Sequence, residues 1–346
     1  VKRSTILAIT IVLGLTLIVL LVKLFFPSSS TNITKTVLTG KEWLNTEFGK
    51  DRVELKGKNS LVFFWNASDV NSRKMIKIVN EWNTRYAGLL QITGIHCPEF
   101  DFEKEKKNIV KLVEDLNIKW PLVLDNENTL RKMFMNDELP ALYLLNYKGK
   151  TVYFHKGPGD YETAEAALQA AISQLNPKAL LPELEKPEIT GVCFMVTPDL
   201  YCGYRKGAIV NKGGFFTEKS HDYKGNINLP ADTMALRGRF KVFKEYIETD
   251  GSGAEVLLNF TATEVNIVAE TIPPGEACLE LLFNGQPLTK EIKGENVDEN
   301  YQVKLKFPGM YQLLKNRKKA EKGILSVKAV KGKFRLYAFR FYGCSE

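Results

Sequence analysis

Nowhere in these 346 residues do two cysteines stand in a Cys-x-x-Cys spacing. The five that occur, Cys97, Cys193, Cys202, Cys278 and Cys344, are scattered, which argues against a zinc knuckle and against a local redox pair. Spacing leaves open which of them pair, and an odd number outside the cytosol leaves at least one thiol without an intrachain partner. Histidine is scarcer still. His96, His155 and His221 are too dispersed to suggest a metal cluster, so neither metal nor cofactor is expected. There is no nucleic-acid motif, no internal repeat and no low-complexity tract.

What is present is an ordinary globular composition, 44% apolar and 25% charged, in a chain long enough for two domains and an anchor. The net charge of +8 is spread along the chain. One basic run, Lys315, Arg317, Lys318, Lys319 and Lys322, reads as a solvated loop, with phosphate headgroups or an acidic partner as the alternative. Near the N-terminus, Lys2 and Arg3 precede seventeen uncharged residues, Ile6 to Val22. A helix from Ser4 to Phe26 would be about 34 Å long, enough to span a bilayer. No convincing small-residue cleavage site follows, which favours an uncleaved signal anchor over a cleaved signal peptide. The expected organisation is an anchor over residues 1–26, a polar tether over 27–35, an α/β domain over 36–176, a proline-interrupted linker over 177–189 and an all-β domain over 190–346.

The α/β expectation rests on alternating patterns. Apolar strands are expected at Leu61–Trp65, Leu89–Ile95, Leu122–Leu124, Ala141–Leu145 and Thr151–Phe154, with a Lys148-Gly149 turn between the last two. Helices are expected from the motif below to Tyr86, around Ile109 to Leu116, at Thr129–Phe134 and at Glu162–Leu175. Past the linker the pattern becomes short strands: Arg239–Lys244, Glu264–Val268, Leu279–Phe283, Gln302–Phe307, Ile324–Val330 and Phe334–Phe341. Many short strands with almost no helical period suit a β-sandwich.

The stretch LVFFWNASDVNSRKM (Leu61 to Met75) carries the chemical question. A buried strand ends at Asn66, and a helical pattern with Met75, Val79, Trp82 and Tyr86 on one face runs to Gly88. Thiol redox proteins put Cys-x-x-Cys at such a junction, where the helix N-terminus lowers the attacking thiol's pKa. Here the two positions are Asp69 and Ser72, and a carboxylate and a hydroxyl cannot form or exchange a disulfide. The plain expectation is that they cap the helix. A general acid or base at Asp69 would need a raised pKa, whereas a helix N-terminus lowers it.

Several segments together resemble the DipZ type of TlpA-like thioredoxins. GIHCPEFDFEKEKKNIVKLVEDLNIKWPLVLDN (Gly94 to Asn126) is similar to that family's G-x-H-T-P-E-F-x-F-E segment. LPALYLLNYKGKTVYFHKGPGDYETAE (Leu139 to Glu165) is similar to its W-P-A-x-Y-L-I-D and G-E-G-D-Y-x-x-T-E segments. Thr197-Pro198-Asp199-Leu200-Tyr201-Cys202-Gly203-Tyr204-Arg205 resembles T-P-E-x-Y-L-G-Y-x-R, and Leu336 to Gly343 resembles the L-Y-A-F-x-F-G ending. The resemblance covers nearly all of residues 36–346. It implies a thioredoxin-like fold followed by a β-sandwich likened to carbohydrate-binding modules, in a membrane-anchored bacterial protein with its bulk in the periplasm or extracytoplasmic space. Laid on the family's F-W-T-Y-S-C-I-N-C-L-R turn, the chain keeps Phe64, Trp65, Ser68 and Asn71 and loses both cysteines. Pro140 matches the family's cis-proline, Leu139 stands where Trp is usual, and His96 matches the family His with Cys97 in place of Thr.

The resemblance makes Trp65, Ser68, Asn71, His96, Leu139 and Pro140 a candidate peptide groove, since the strand beside a cis-proline pairs with extended peptides. Cys97 is either a quiet buried residue or a single redox thiol. In the second domain Tyr201, Tyr204 and Arg205 lie in the shared motif, and Tyr201, Tyr204, Phe215 and Phe216 are core residues or a sugar-stacking surface. The expected function is binding of a protein, a peptide or a cell-envelope glycan without thiol exchange. The competing expectation is thiol-disulfide oxidoreductase activity through Cys97.

Overall fold

A computed structural model describes residues 37–40, 42–46, 52–184, 192–224, 228–249, 251, 253–272 and 275–345. The expected anchor and tether lie outside these residues, as do 185–189 at the end of the expected linker and 190–191 at the start of the expected all-β domain. Among the described residues no helix is long and apolar enough to cross a membrane.

The first unit opens with three short strands, β1 (Val37–Thr39), β2 (Trp43–Leu44) and β3 (Arg52–Glu54). Then come β4 (Asn59–Trp65), α1 (Val70–Arg85), β5 (Leu90–His96), a 3-10 turn (Asp101–Lys104) and α2 (Lys106–Asp115). It closes with β6 (Leu122–Leu124), α3 (Thr129–Met133), β7 (Ala141–Leu145), β8 (Thr151–Lys156) and α4 (Tyr161–Leu175). The sheet order is β2-β6-β5-β4-β7-β8. β4, β5 and β6 run parallel, and β7 is antiparallel to both β4 and β8. This is the thioredoxin-like arrangement.

The sheet is covered on both faces, so β4 is buried throughout and apolar from Leu61 to Trp65, while its side chains alternate in direction. Leu61, Phe63 and Trp65 pack with α1 and α4, whereas Val62 and Phe64 pack with α3, Leu38 and Leu55. Each such buried side chain contributes about 2 kcal/mol relative to exposure. Gly94 is required on the first face, because a Cβ there would lie 2.1 Å from the Trp120 ring. α1 presents Met75, Val79 and Trp82 to the sheet, and Tyr86, beside its last turn, donates its hydroxyl to Glu165 of α4.

The second unit contains β9 (Leu200–Tyr201), β10 (Ser220–Tyr223), β11 (Thr233–Val242), β12 (Ile247–Thr249), β13 (Glu255–Ala262) and β14 (Glu264–Thr271). It continues with β15 (Ala277–Phe283), β16 (Gln286–Pro287), β17 (Gln302–Leu305), β18 (Gly309–Lys315), β19 (Glu321–Lys331) and β20 (Phe334–Tyr342). One sheet joins β12, β20, β14 and β18, the other β13, β19 and β15, and β11 belongs to both. It changes sheets at Gly238, whose φ of +88° only glycine adopts readily. Phe240, Val265, Ile267, Leu336 and Phe339 from one sheet meet Val256, Leu258, Leu279, Leu325 and Val327 from the other in a single core. A disulfide joins Cys193 to Cys344, across 151 positions of chain.

The expected strands at Arg239–Lys244 and Gln302–Phe307 differ in extent. The first is the end of the longer β11, and the second stops at Leu305. β13 and β18 were not expected, and the basic run proves to be the β18–β19 hairpin, with Lys315 and Lys322 inside the strands.

Candidate functional site

β4 delivers the chain to the turn at Asn66, and local hydrogen bonds set its shape. The Asn66 Oδ1 accepts from the Ser68 N–H at 2.8 Å, and Asn66 Nδ2 donates to the Cys97 carbonyl at 2.8 Å and to Glu103 Oε2 at 3.0 Å. Asp69 is the N-cap of α1, its Oδ2 accepting the Ser72 N–H at 2.6 Å. The buried Ser72 Oγ accepts from the Asn66 N–H at 3.1 Å. The two positions where a redox pair would stand thus bind the backbone of their own turn.

The sequence led us to expect a lowered Asp69 pKa, and the structure corrects this. Burial raises it, and the Ser72 hydrogen bonds and the charge of Arg340 only partly offset that rise. The second unit closes over the turn, and this covering is what a lone helix N-terminus lacks.

The covering group is Arg340 of β20. Its Nε donates to the Ser68 carbonyl at 3.0 Å, and its two amino groups bond Asp199, the Tyr201 hydroxyl and Glu99. Glu99 also takes Lys206 at 2.8 Å and the Tyr201 hydroxyl at 2.7 Å. Burial pushes the Glu99 carboxyl up, but the charge of Arg340 with the Lys206 and Tyr201 hydrogen bonds outweighs it, holding the pKa at about 2. Beside this polar cluster Phe100 and Phe102 pack on Val268, Tyr337 and Ala338, with Phe102 and Tyr337 ring centres 4.9 Å apart. Lys74 of α1 pairs with Glu264 at 3.0 Å. The two units therefore share an apolar and ionic interface.

At this junction lies a pocket of about 390 Å³. Asn66, Asp69, Cys97 and Leu139 line it from the first unit, and Asp199, Tyr201, Lys206 and Arg340 line it from the second. The Leu139-Pro140 bond is cis. Of the candidate groove residues, Leu139 reaches the pocket wall, and Ser68 meets the second unit through its carbonyl. Pro140 is buried, with its carbonyl bonded by the Gly157 N–H at 2.8 Å. Asn71 is half-buried and outside the lining.

Trp65 and His96 lie in the core, side by side with ring centres 5.0 Å apart. Neither His96 nitrogen has a protein partner, and burial pulls the imidazole pKa down to about 3. Beneath the turn, Glu103 is fully buried, and its pKa is raised by that burial despite hydrogen bonds from the Glu99 and Phe100 backbone and Asn66. Cys97 is 1% exposed, and burial, with Asp125 nearby, pushes its thiol well above the ordinary range. Cys202 is buried in the second core and raised for the same reason, and Cys278 is a half-buried thiol.

Tyr201 belongs to the pocket, but Tyr204 and Arg205 do not. Tyr204 bonds Glu218 at 3.0 Å and Arg205 pairs with Glu245 at 3.0 Å. Glu99, Arg131, Asp199, Lys206 and Arg340 were not singled out from the sequence. Glu99, Asp199 and Arg340 stand inside the motif segments quoted above, which was the available signal. Among the described residues no three His, Cys, Asp or Glu side chains are grouped to hold a metal ion.

Fold and site together define a thioredoxin-like protein whose redox-pair positions hold Asp and Ser and whose second, β-rich unit closes over them. Residues 197–342 match the family model described as the thioredoxin-like C-terminal domain. The DipZ proteins of Mycobacterium tuberculosis and Mycobacterium bovis are each 32% identical over 258 residues, covering 73% of this chain and 36% of theirs. The thiol-disulfide oxidoreductase YkuV of Bacillus subtilis is 25% identical over 138 residues, 40% of this chain and 93% of that protein. The chain is thus similar to the DipZ/TlpA-like thioredoxin proteins. It spans about a third of the length of the DipZ relatives. Among solved structures, a thioredoxin-like protein in its oxidized form is 25% identical and covers 40% of this chain and 93% of its own, with a TM-score of 0.36. StoA from Bacillus subtilis is 17% identical, covering 38% and 95%, with a TM-score of 0.32.

Proposed function

We propose that this chain is a membrane-anchored, extracytoplasmic thioredoxin-like protein that binds a protein or peptide partner in the inter-unit pocket without thiol exchange. One observation carries the reading: Asp69 and Ser72 are engaged in holding the turn and the helix start, so the inherited site has no sulfur to react. The buried Cys97, with its raised pKa, supplies little thiolate. The pocket remains, with Leu139 as an apolar wall and Lys206, Tyr201 and Arg340 as polar ones. The apolar run Ile6–Val22 supports the anchor.

Insulin reduction in the presence of dithiothreitol tests the chemistry. The parent chain is expected to be inactive, and the double substitution Asp69→Cys, Ser72→Cys to gain activity. Reduction by the parent, lost in Cys97→Ser, would establish the second reading, a single-thiol oxidoreductase. That reading draws on one observation, the place of Cys97 in the pocket wall. Partner binding is tested by a photo-crosslinking residue at Leu139, and recovery of no envelope protein would sink it. A glycan-binding role for the second unit rests on the exposed rings of Tyr204 and Phe216, and a blank glycan array would remove it.

A further inference from the structure

The end of the first sheet opposite the pocket carries a concentration of exposed positive charge. Lys56 and Lys58 stand on the turn from β3 to β4, and Lys148 and Lys150 on the turn from β7 to β8; all four are exposed. The turns lie against each other. The Gly57 N–H donates to the Tyr147 carbonyl at 2.9 Å, and a Cβ placed on Gly149 would lie 3.6 Å from Lys56 Cγ. Among the described residues no carboxylate pairs with any of the four ammonium groups; Lys148 lies over the Tyr147 ring, 5.4 Å from its centre. Glu54, two positions before Lys56, is the acidic residue adjoining them in sequence.

This is also where the chain enters the fold. β1 pairs with β3 so that Val37 is opposite Glu54, which places the entering backbone beside the lysine turns. Fourteen residues separate Val37 from the end of the uncharged run at Val22, at most about 50 Å of extended chain. A bilayer holding that run would be kept within reach of the lysines. Clustered lysines beside an apolar anchor attract anionic headgroups, within about a Debye length of the surface.

We propose that Lys56, Lys58, Lys148 and Lys150 form a membrane-facing surface that binds the anionic headgroups of the bilayer holding the N-terminal segment. The inference rests on the anchored reading above. It gives the pocket an orientation. β4 runs from Asn59 at the lysine end to Trp65 at the pocket end, about 20 Å, so the pocket opens away from the membrane, toward partners in the extracytoplasmic space.

The test uses the full chain in vesicles of phosphatidylcholine alone or mixed with phosphatidylglycerol, with a membrane-impermeant amine-acetylating reagent and peptide mass spectrometry. In the mixed vesicles the four lysines should react at least about threefold more slowly than in phosphatidylcholine, with the protection lost at high salt. Lys318, in the β18–β19 hairpin, should react equally in both. Lys56→Glu with Lys148→Glu should remove the protection of Lys58 and Lys150 while leaving the circular dichroism spectrum unchanged. Equal labelling in the two vesicles, equal protection of Lys318, or protection by inorganic phosphate without vesicles would overturn the proposal. An alkaline carbonate wash reads the anchor separately: release of the chain defeats the anchored reading, whereas a retained chain with unprotected lysines defeats only the membrane-facing surface.

Discussion

His96 is a buried imidazole with both nitrogens unpartnered, and it makes stability depend on pH in a defined direction. Unfolded, it titrates near 6.5; folded, near about 3. Between those values the unfolded chain holds more protons, so stability rises with pH and falls as pH drops from about 6.5 toward about 3. The slope is at most about 1.4 kcal/mol per pH unit. Glu103, raised by burial, acts with the opposite sign, so parent and variant must be compared at the same pH. His96→Leu is expected to flatten the acid side of the profile, read as urea midpoints at successive pH values. An unchanged slope would mean that the ring is protonated in the fold. His96 was legible in the sequence as a motif residue, but its direction was not. Residues 90 to 96 alternate between the two sheet faces, and the β4–β5 register places His96 beside Trp65 rather than toward the pocket.

At the scale of elements, β20 and the segment from Cys97 to Lys104 hold the two units together. Arg340 is buried among the Glu99, Asp199 and Tyr201 side chains and the Ser68 carbonyl. Arg340→Gln leaves Glu99 in the interface without its main counter-charge and should cost about 3 kcal/mol. Denaturant unfolding followed by Trp fluorescence, against β-sheet circular dichroism, would read the loss and show whether the two units then unfold at separate midpoints. No loss of stability would mean that solvent takes over from the guanidinium. Most of the first unit's elements were readable from the sequence, because strands buried on both faces are continuous apolar runs and α1 has a clear 3.6-residue period. In the second unit, β13 was missed although its signal is present, since EVLLNFTA alternates half-buried and buried residues at each step. β18 was not, because most of its side chains are half-buried on both faces, leaving no alternation to see. The interface was invisible for another reason: Glu99 and Arg340 are 241 positions apart, and no local pattern encodes a contact at that range.

At the scale of the whole molecule, the Cys193–Cys344 bond closes nearly the entire second unit into one loop. Loop-closure entropy predicts a contribution of about 5 kcal/mol. Replacing both cysteines by Ser should lower the denaturant midpoint of the second unit, and dithiothreitol should do the same to the parent but not to the variant. If reduction leaves the midpoint unchanged, the backbone pairing beside the bond already holds the ends together. That pairing is present: Phe194 N–H bonds Gly343 O at 2.9 Å and Ser345 N–H bonds Val192 O at 3.0 Å.

The same closure bears on survival among proteases. A linear chain cut in a surface loop becomes two fragments that can drift apart. Here a cut at an exposed turn such as the one at Gly253 leaves both pieces covalently joined through Cys193 and Cys344, with the strands on either side still paired. Such a nicked chain would keep Arg340 seated on the first unit and the pocket assembled, so the protein could be cleaved without being taken apart.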